Sequence, residues 1–295
     1  MPISVENISF VYQKGTPFER KALKGVSFTI DDGEVLGIIG PTGSGKSTLL
    51  QMLNGLLQPS AGRIVVDDRE ISCLKKRELS RLRQEVGLIF QYPEEQIFES
   101  RVYDEVAFAA RNMGLASQEI EERVKDAFQN AGLSYDAFKN RRTDSLSSGE
   151  KRRVAIASIL VLKPRYLLLD EPTAGLDFEG RRALLDCLLS LNQAGRTTVV
   201  IVSHDLTYLV RVCKRFILLK DGNILLDGDI SVLLEHYGDF KEQGMELPAA
   251  YELIYKLNLR KWGLEPYIKK PEEAVRVIAE RIGTGQKKQE PESTN

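Results

Sequence analysis

A glycine-rich segment that begins at Gly40 carries the residue types that bind phosphate. It fits the pattern G-x-x-x-x-G-K-[ST], whose glycines let successive backbone N–H groups turn toward phosphate oxygens. Lys46 would reach the outer phosphates of a nucleotide, and the Ser47 hydroxyl would ligate Mg²⁺. An ordinary glycine-rich turn is the alternative, but a buried strand before the segment and a helix after it favour phosphate binding. The candidate binding residues are Gly40, Pro41, Thr42, Gly43, Ser44, Gly45, Lys46, Ser47 and Thr48.

Two adjacent carboxylates, Asp170 and Glu171, follow the apolar run 166–169. If this run is a strand beside the phosphate-binding segment, Asp170 comes near the Mg²⁺ ion and Glu171 faces the γ-phosphate. In-line attack by water needs such a base, because a metal ion and a lysine only stabilise charge. The alternative is a surface pair of acids at a strand end. Beside a phosphate-binding segment, the pair instead predicts hydrolysis of a nucleoside triphosphate.

These residues need a sheet that brings strand ends together. Continuous apolar runs at 35–40, 166–170 and 198–203 predict strands buried on both faces of a mainly parallel sheet. The alternating segments 4–12 and 26–30 predict antiparallel strands, and 47–57 predicts a helix. A mostly helical subdomain is expected at about 92–150, with a continuous helical pattern over 102–133. The expected fold class is α/β, with a small helical appendage at 231–283 and a disordered tail at 284–295.

Bulk composition narrows the classes of partner. The 295 residues include 41 Lys and Arg against 42 Asp and Glu, for a net charge of −1. No global basic field exists to hold a nucleic acid, so no nucleic-acid partner is expected. The three cysteines are far apart and without metal-binding spacing, which is typical of a reducing cytoplasm. We see no secretory signal and no apolar run long enough to cross a membrane, so membrane association would require a partner.

A further motif connects these segments to a known family. The segment LSSGE at 146–150 precedes a basic helix that begins KRRVAIA. In this order, the motifs of residues 1–230 resemble those of ABC (ATP-binding cassette) ATPase subunits. The resemblance implies a P-loop NTPase with a RecA-like core, an antiparallel β subdomain and an inserted helical subdomain. It implies ATP and Mg²⁺ as the bound species.

The resemblance also implies roles for single residues. Two subunits of this family pack head to tail and enclose two ATP molecules, so the serine and glycine of LSSGE would cap the γ-phosphate of the opposite subunit. An aromatic on an early strand is commonly a core residue, and a lone histidine at a strand end is commonly structural. The motif positions instead imply the following roles: Tyr12 stacks on adenine; Gln91 contacts metal and attacking water; Ser147, Gly149 and Asp177 complete the nucleotide site; Asp170 binds metal; Glu171 and His204 act with Lys46 in hydrolysis.

The signature segment departs from the usual LSGGQ. Ser148 stands in place of the second glycine, and Glu150 stands in place of the glutamine. Because helix-terminal amides carry most of the phosphate contact, we expect function to survive. A negative Glu150 near phosphate could nonetheless weaken closure, so the strength of that half-site stays open.

The segment 90–98 (FQYPEEQIF) resembles the Q-loop of ATPases from energy-coupling factor (ECF) transporters. Those systems import vitamins or transition-metal ions in prokaryotes, with a second ATPase, a transmembrane coupling subunit and a separate membrane subunit that binds substrate. The resemblance implies a peripheral protein at the cytoplasmic face of the cell membrane. The expected dock for arginine-bearing helices of the coupling subunit is Glu94, Glu95, Ile97 and Phe98. A solvated acidic turn with Phe98 in the core is the alternative.

Other readings stay open at this point. The chain could be the ATPase of another ABC importer or a soluble ABC ATPase without a transport role. Apolar residues of the appendage could pair two subunits, as in ECF ATPases, or could fold back on their own domain. Those residues are Tyr251, Leu253, Ile254, Leu257, Leu259 and Trp262.

Overall fold

The computed structural model describes residues 3–195, 197–241, 247–259 and 275–280. Its strands are Ile3–Tyr12 (β1), Arg20–Ile30 (β2), Val35–Ile39 (β3), Ala61–Val66 (β4), Arg69–Glu70 (β5), Val86–Ile89 (β6), Tyr166–Asp170 (β7), Thr198–Ser203 (β8), Arg215–Lys220 (β9) and Asn223–Gly228 (β10). Its α-helices are Lys46–Leu53 (α1), Lys76–Glu85 (α2), Val102–Asn112 (α3), Ser117–Asn130 (α4), Tyr135–Phe138 (α5), Ser148–Leu160 (α6), Phe178–Gly195 (α7), Leu206–Val212 (α8), Ile230–Glu235 (α9), Tyr237–Lys241 (α10) and Ala249–Leu259 (α11).

A six-stranded sheet forms the centre of the fold, in the order β10-β9-β3-β8-β7-β6. Its inner pairs are parallel, and β10 pairs antiparallel with β9. The register sets Ile39 beside Ser203 and Asp170 beside Val202, so β3, β7 and β8 end at the same edge. The segments that begin at Gly40, Glu171 and His204 therefore leave the sheet side by side, as the sequence predicted.

The core lies on both faces of this sheet. Alternate strand residues point to opposite sides, so Leu168 joins one buried cluster while Leu167 and Leu169 join the other. One cluster includes the antiparallel sheet β2-β1-β4-β5 and α1. The other includes residues of α3, α4, α6, α7 and α8. Burial on both faces explains why the central strands are continuous apolar runs.

Two of the predicted helices are longer than the helices that the structure shows. The helix predicted at 47–57 ends at Leu53, because Asn54 and Gly55 turn the chain and Gly55 has φ 70°. The continuous helix predicted over 102–133 is divided between α3 and α4. Gly114 lies between them with φ 74°, a left-handed conformation that a helix does not continue through. Helices α3 to α6 follow β6 and precede β7, and the subdomain limits of about 92–150 stay a prediction.

The described residues after β10 are mainly helical, and some of them belong to the main core. Leu233, Tyr237, Leu247 and Tyr251 are buried in the same cluster as α3 and α6. Ile254 packs in a small separate cluster with Leu257 and with residues of the helical stretch 275–280. Leu253 and Leu259 are exposed. Trp262 and the predicted disordered tail at 284–295 lie outside the described residues.

No helix within the described ranges is long and apolar enough to cross a membrane.

Candidate nucleotide-binding and hydrolysis site

The phosphate-binding segment has a backbone that only glycine can adopt at two positions. Gly40 has φ 151°, and a Cβ there would lie 2.0 Å from the Leu219 carbonyl oxygen. Gly45 has φ 107°, and a Cβ there would lie 2.5 Å from the Ala22 carbonyl oxygen. The segment thus lies tightly against β2 and β9 and leads directly into α1, whose amino end points at the same place.

Lys46, the first residue of α1, is buried within this segment. Its Nζ donates hydrogen bonds to the carbonyl oxygens of Gly40, at 2.8 Å, and Pro41, at 3.0 Å. Burial lowers the pKa of Lys46, and the nearby carboxylates of Glu171 and Asp170 partly oppose that shift. A cation held here by weakly charged carbonyls is well placed to exchange them for phosphate oxygens.

A cavity of about 250 Å³ opens beside this segment. Tyr12 lies in its wall, 38% exposed, and its hydroxyl is 3.0 Å from the Thr48 hydroxyl. Tyr12 is therefore not a core residue, and its ring is available at the nucleotide cavity. The full lining is Tyr12, Arg20, Ala22, Gly43, Gly45, Lys46, Ser47 and Thr48.

Arg20 was not among the predicted site residues. It begins β2, lines the cavity and donates a hydrogen bond of 3.1 Å to the Gly43 carbonyl oxygen. No motif marks this position in the sequence, and only the pairing of β2 with β1 brings it here. A guanidinium at this point adds positive charge beside the phosphate-binding segment.

The predicted metal ligands Ser47 and Asp170 are neighbours. A hydrogen bond links their side chains, and burial raises the pKa of Asp170. Asp170 Oδ1 is buried and lacks a hydrogen-bond partner in the described structure. The described residues hold no ready-made cluster of three or more His, Cys, Asp or Glu. One carboxylate and one hydroxyl fit Mg²⁺, which binds few protein ligands and takes phosphate oxygens and water for the rest.

Glu171 is held in one orientation by three hydrogen bonds. Its Oε1 accepts from the His204 backbone N–H at 3.0 Å and lies 2.7 Å from His204 Nδ1. Its Oε2 accepts from the Ser203 hydroxyl at 3.0 Å. The Glu171 backbone has φ 45°, an uncommon conformation for a glutamate. The structure therefore brings together Lys46, Asp170, Glu171 and His204 at the ends of three strands.

Four predicted residues lie elsewhere on the surface of this subunit. Gln91 has an exposed side chain after β6. Ser147 caps α6: its hydroxyl accepts from the Glu150 N–H, and Gly149 beside it has open space around it. Asp177 accepts a hydrogen bond from the Gly180 N–H at the start of α7. Within the described residues, no hydrogen bond joins these side chains to the phosphate-binding segment, so their nucleotide roles stay predictions.

The predicted partner dock is only partly available. Phe98 is 63% exposed and packs edge-on against Phe108, so the alternative that placed it in the core is wrong. Glu95 is exposed, and Ile97 is partly buried against the larger core cluster. The sequence led us to expect a free carboxylate at Glu94, but the structure pairs it within the chain. Both its oxygens accept from the buried Arg152, at 2.9 and 3.0 Å.

Comparison with known proteins agrees with this geometry. Residues 23–174 match the ABC transporter family. The energy-coupling factor transporter ATP-binding protein EcfA2 of Symbiobacterium thermophilum is 46% identical over 278 residues, covering 94% of this chain and 96% of that protein. The protein of the same name from Clostridium acetobutylicum is 43% identical over 257 residues, covering 87% of this chain and 90% of that protein.

Solved structures give the same result. The structure of cbiO1 from Clostridium perfringens, described as part of the ABC transporter complex cbiONQ, superposes with a TM-score of 0.72 at 36% identity. The superposition covers 86% of this chain and 97% of the cbiO1 chain. A dimeric ATP-binding cassette bound to ADP and Pi superposes with a TM-score of 0.70 at 30% identity, covering 77% and 98%. The chain therefore has the fold of an ATP-binding P-loop NTPase and belongs to the ABC transporter family, among the energy-coupling factor transporter ATP-binding proteins.

Proposed function

We propose that this chain is the ATP-hydrolysing subunit of an ECF importer for vitamins or transition-metal ions. The observation that carries the proposal is the convergence of Lys46, Asp170, Glu171 and His204 at one sheet edge, with a cavity lined by Lys46 and Tyr12 beside the phosphate-binding segment. The similarity to ECF transporter ATP-binding proteins over nearly the whole chain supports the transport role. ATP is the proposed fuel and Mg²⁺ the proposed metal ion.

Each site residue has a role that follows from its surroundings. The amides of the phosphate-binding segment and Lys46 hold the phosphates, and the Tyr12 ring stacks on adenine. Ser47 and Asp170 are the proposed Mg²⁺ ligands, with Gln91 joining them on closure, and the ion would neutralise charge on the β- and γ-phosphate oxygens. Glu171 orients the attacking water and takes up its proton. His204, hydrogen-bonded through Nδ1, keeps that carboxylate in position.

The second half of each site comes from a companion ATPase subunit. Ser147 and the amide of Gly149 stand at the amino end of α6 and are free to meet the γ-phosphate of an ATP held by that companion. Asp177 directly precedes α7, is also exposed, and would line the junction between the subunits. ATP would then favour the closed pair, and hydrolysis would release it.

The membrane partner would bind at the segment after β6. Phe98 and Phe108 form an exposed aromatic pair, and the exposed Glu95 precedes Phe98 by three residues. This combination suits an arginine-bearing helix of a transmembrane subunit. A subunit docked in this way would be peripheral, at the cytoplasmic face of the membrane. A separate membrane subunit would choose the substrate.

Affinity purification from detergent-solubilised membranes tests the proposal, with mass spectrometry of the proteins that accompany the chain. Recovery of a polytopic protein with arginine-bearing cytoplasmic helices, a related ATPase and small membrane proteins that bind substrate is expected. Recovery of only soluble partners would overturn the transport role and leave the ATPase assignment standing.

A further inference from the structure

The departure from LSGGQ at Glu150 has a partner in the structure. Arg141 Nη1 donates to Glu150 Oε1 at 2.9 Å, and Arg141 Nη2 donates to Oε2 at 3.3 Å. Glu150 also completes a capping box, because its Oε2 accepts from the Ser147 N–H at 2.8 Å. The carboxylate that we expected to repel phosphate is therefore neutralised by an arginine in a forked contact.

Arg141 is fixed by its own surroundings, so the ion pair is preformed. Its backbone N–H donates to the Phe138 carbonyl oxygen, and its carbonyl accepts from the Val102 N–H at the start of α3. Its guanidinium lies over the Phe138 ring, 4.8 Å from the centroid, and donates to the Ser145 carbonyl oxygen. The pair is partly shielded from water, since the Glu150 side chain is 21% exposed.

The charge at this point matters because of what the helix end must attract. The amino end of α6 carries a partial positive charge from its unpaired N–H groups. A bare glutamate in the first turn favours the helix but repels a phosphate that approaches the same end. Arg141 cancels that repulsion while the capping box stays intact.

Building on the proposed function, we propose that Arg141 is a positioning residue for the phosphate-capping segment. It neutralises Glu150 so that Ser147 and Gly149 keep their attraction for the γ-phosphate of ATP on the companion subunit. The usual glutamine needs no such neutralisation, so the requirement for Arg141 is created by Glu150.

The test uses the complex purified from membranes with its companion ATPase. Closure is followed by energy transfer between labels on the two subunits during ATP titration with Mg²⁺. Arg141→Gln is expected to raise the ATP concentration for half-maximal closure about tenfold, since one unpaired charge now faces the phosphate. Adding Glu150→Gln to Arg141→Gln removes that charge, retains the capping box and is expected to restore closure.

Arg142→Gln is the matched control. Arg142 neighbours Arg141 and forms a similar ion pair with Asp144, but both side chains are well exposed and lie outside the capping box. Closure is expected to stay within about twofold of the unchanged complex. The affinity of the chain's own nucleotide site for ATP should stay unchanged in all these variants.

Two results would overturn the proposal. One is normal closure in Arg141→Gln. The other is a closure defect that Glu150→Gln fails to relieve, because such a defect would mean that Arg141 only stabilises the loop. Failure of the underlying function is distinguishable, because the unmodified complex would then show no ATP-driven closure at all.

Discussion

His204 Nδ1 lies 2.7 Å from Glu171 Oε1, and the His204 backbone N–H donates to the same oxygen. With Glu171 ionised, the imidazole donates through Nδ1, so its other nitrogen faces away from the carboxylate. Together with the Ser203 hydroxyl on Oε2, these contacts leave the carboxylate little freedom to rotate. The proposed base is thus oriented within this subunit, by Ser203 at the end of β8 and by His204 directly after it.

Glu171→Gln should abolish turnover while leaving ATP binding intact. Loss of a general base typically lowers the rate by about 100-fold or more, and the bound ATP should then hold the closed pair together. Phosphate release and size-exclusion chromatography with ATP measure the two effects.

Ser203→Ala is the graded comparison for that variant. It removes one hydrogen bond to the Glu171 carboxylate, worth about 1.5 kcal/mol or more, so we expect at least a tenfold loss of rate. Unchanged hydrolysis in Glu171→Gln would refute the role assigned to this carboxylate.

Tyr12 should contribute to affinity through its ring. Base–aromatic stacking is worth about 1–3 kcal/mol, so Tyr12→Ala should weaken ATP binding by about five- to 100-fold. Tyr12→Phe keeps the ring and loses only the contact with the Thr48 hydroxyl, so its affinity should stay close to the original. Equal losses in both variants, measured by calorimetry, would point to the hydroxyl instead.

Phe98→Ser should reduce recovery of the transmembrane partner and leave hydrolysis by the purified pair of ATPase subunits unaltered. An exposed aromatic at the centre of an interface is often worth about 2 kcal/mol or more. Leu225→Ser, on β10, removes another exposed apolar side chain and serves as the control. Equal recovery of the partner with both variants would place the dock elsewhere.

Arg152→Met should destabilise the fold, because it leaves Glu94 and the Ala174 carbonyl without their buried donor. We expect a loss of about 2 kcal/mol in the free energy of unfolding, measured by urea titration. Arg142→Met interrupts an exposed pair and should change that free energy by about 0.5 kcal/mol or less. A small change in the free energy of unfolding for Arg152→Met would mean that Glu94 is available to bind the transmembrane partner.

Glu105 should give the stability a specific pH dependence. Burial raises the pKa of Glu105, although the N–H groups of Glu99 and Phe98 oppose the shift. Because the pKa of Glu105 is higher in the folded chain than in the unfolded chain, Glu105 contributes fully to the free energy of unfolding below its unfolded pKa. This contribution is lost as pH rises through the pKa of the folded chain. Glu105→Gln keeps an acceptor for both N–H groups, and its stability relative to the original chain should increase as pH rises above 4.5, the ordinary pKa of a glutamate. A difference that does not vary with pH would contradict this origin.

Motif spacing predicted that Lys46, Asp170, Glu171 and His204 lie together, and strand register explains why the structure places them at one sheet edge. The three apolar runs were recognisable because strands buried on both faces leave no room for alternation. The sequence did not predict the place of Arg20 at the cavity or the Glu94–Arg152 ion pair. Each depends on contacts between distant segments that no local pattern encodes. The effect of Glu150 on closure stays a prediction: its charge was visible in the sequence, but its ion pair with Arg141 depends on the turn after α5.

The burial of Leu247 and Tyr251 in the main core changes how C-terminal truncations should be interpreted. A chain that stops at residue 246 would lose both side chains from the core cluster and would also remove Tyr255 from its edge-on contact with the buried Tyr237. Aggregation or poor yield of such a fragment would then report a damaged fold and say nothing about subunit pairing. Point changes at the exposed Leu253 and Leu259 leave that core intact and isolate the pairing question.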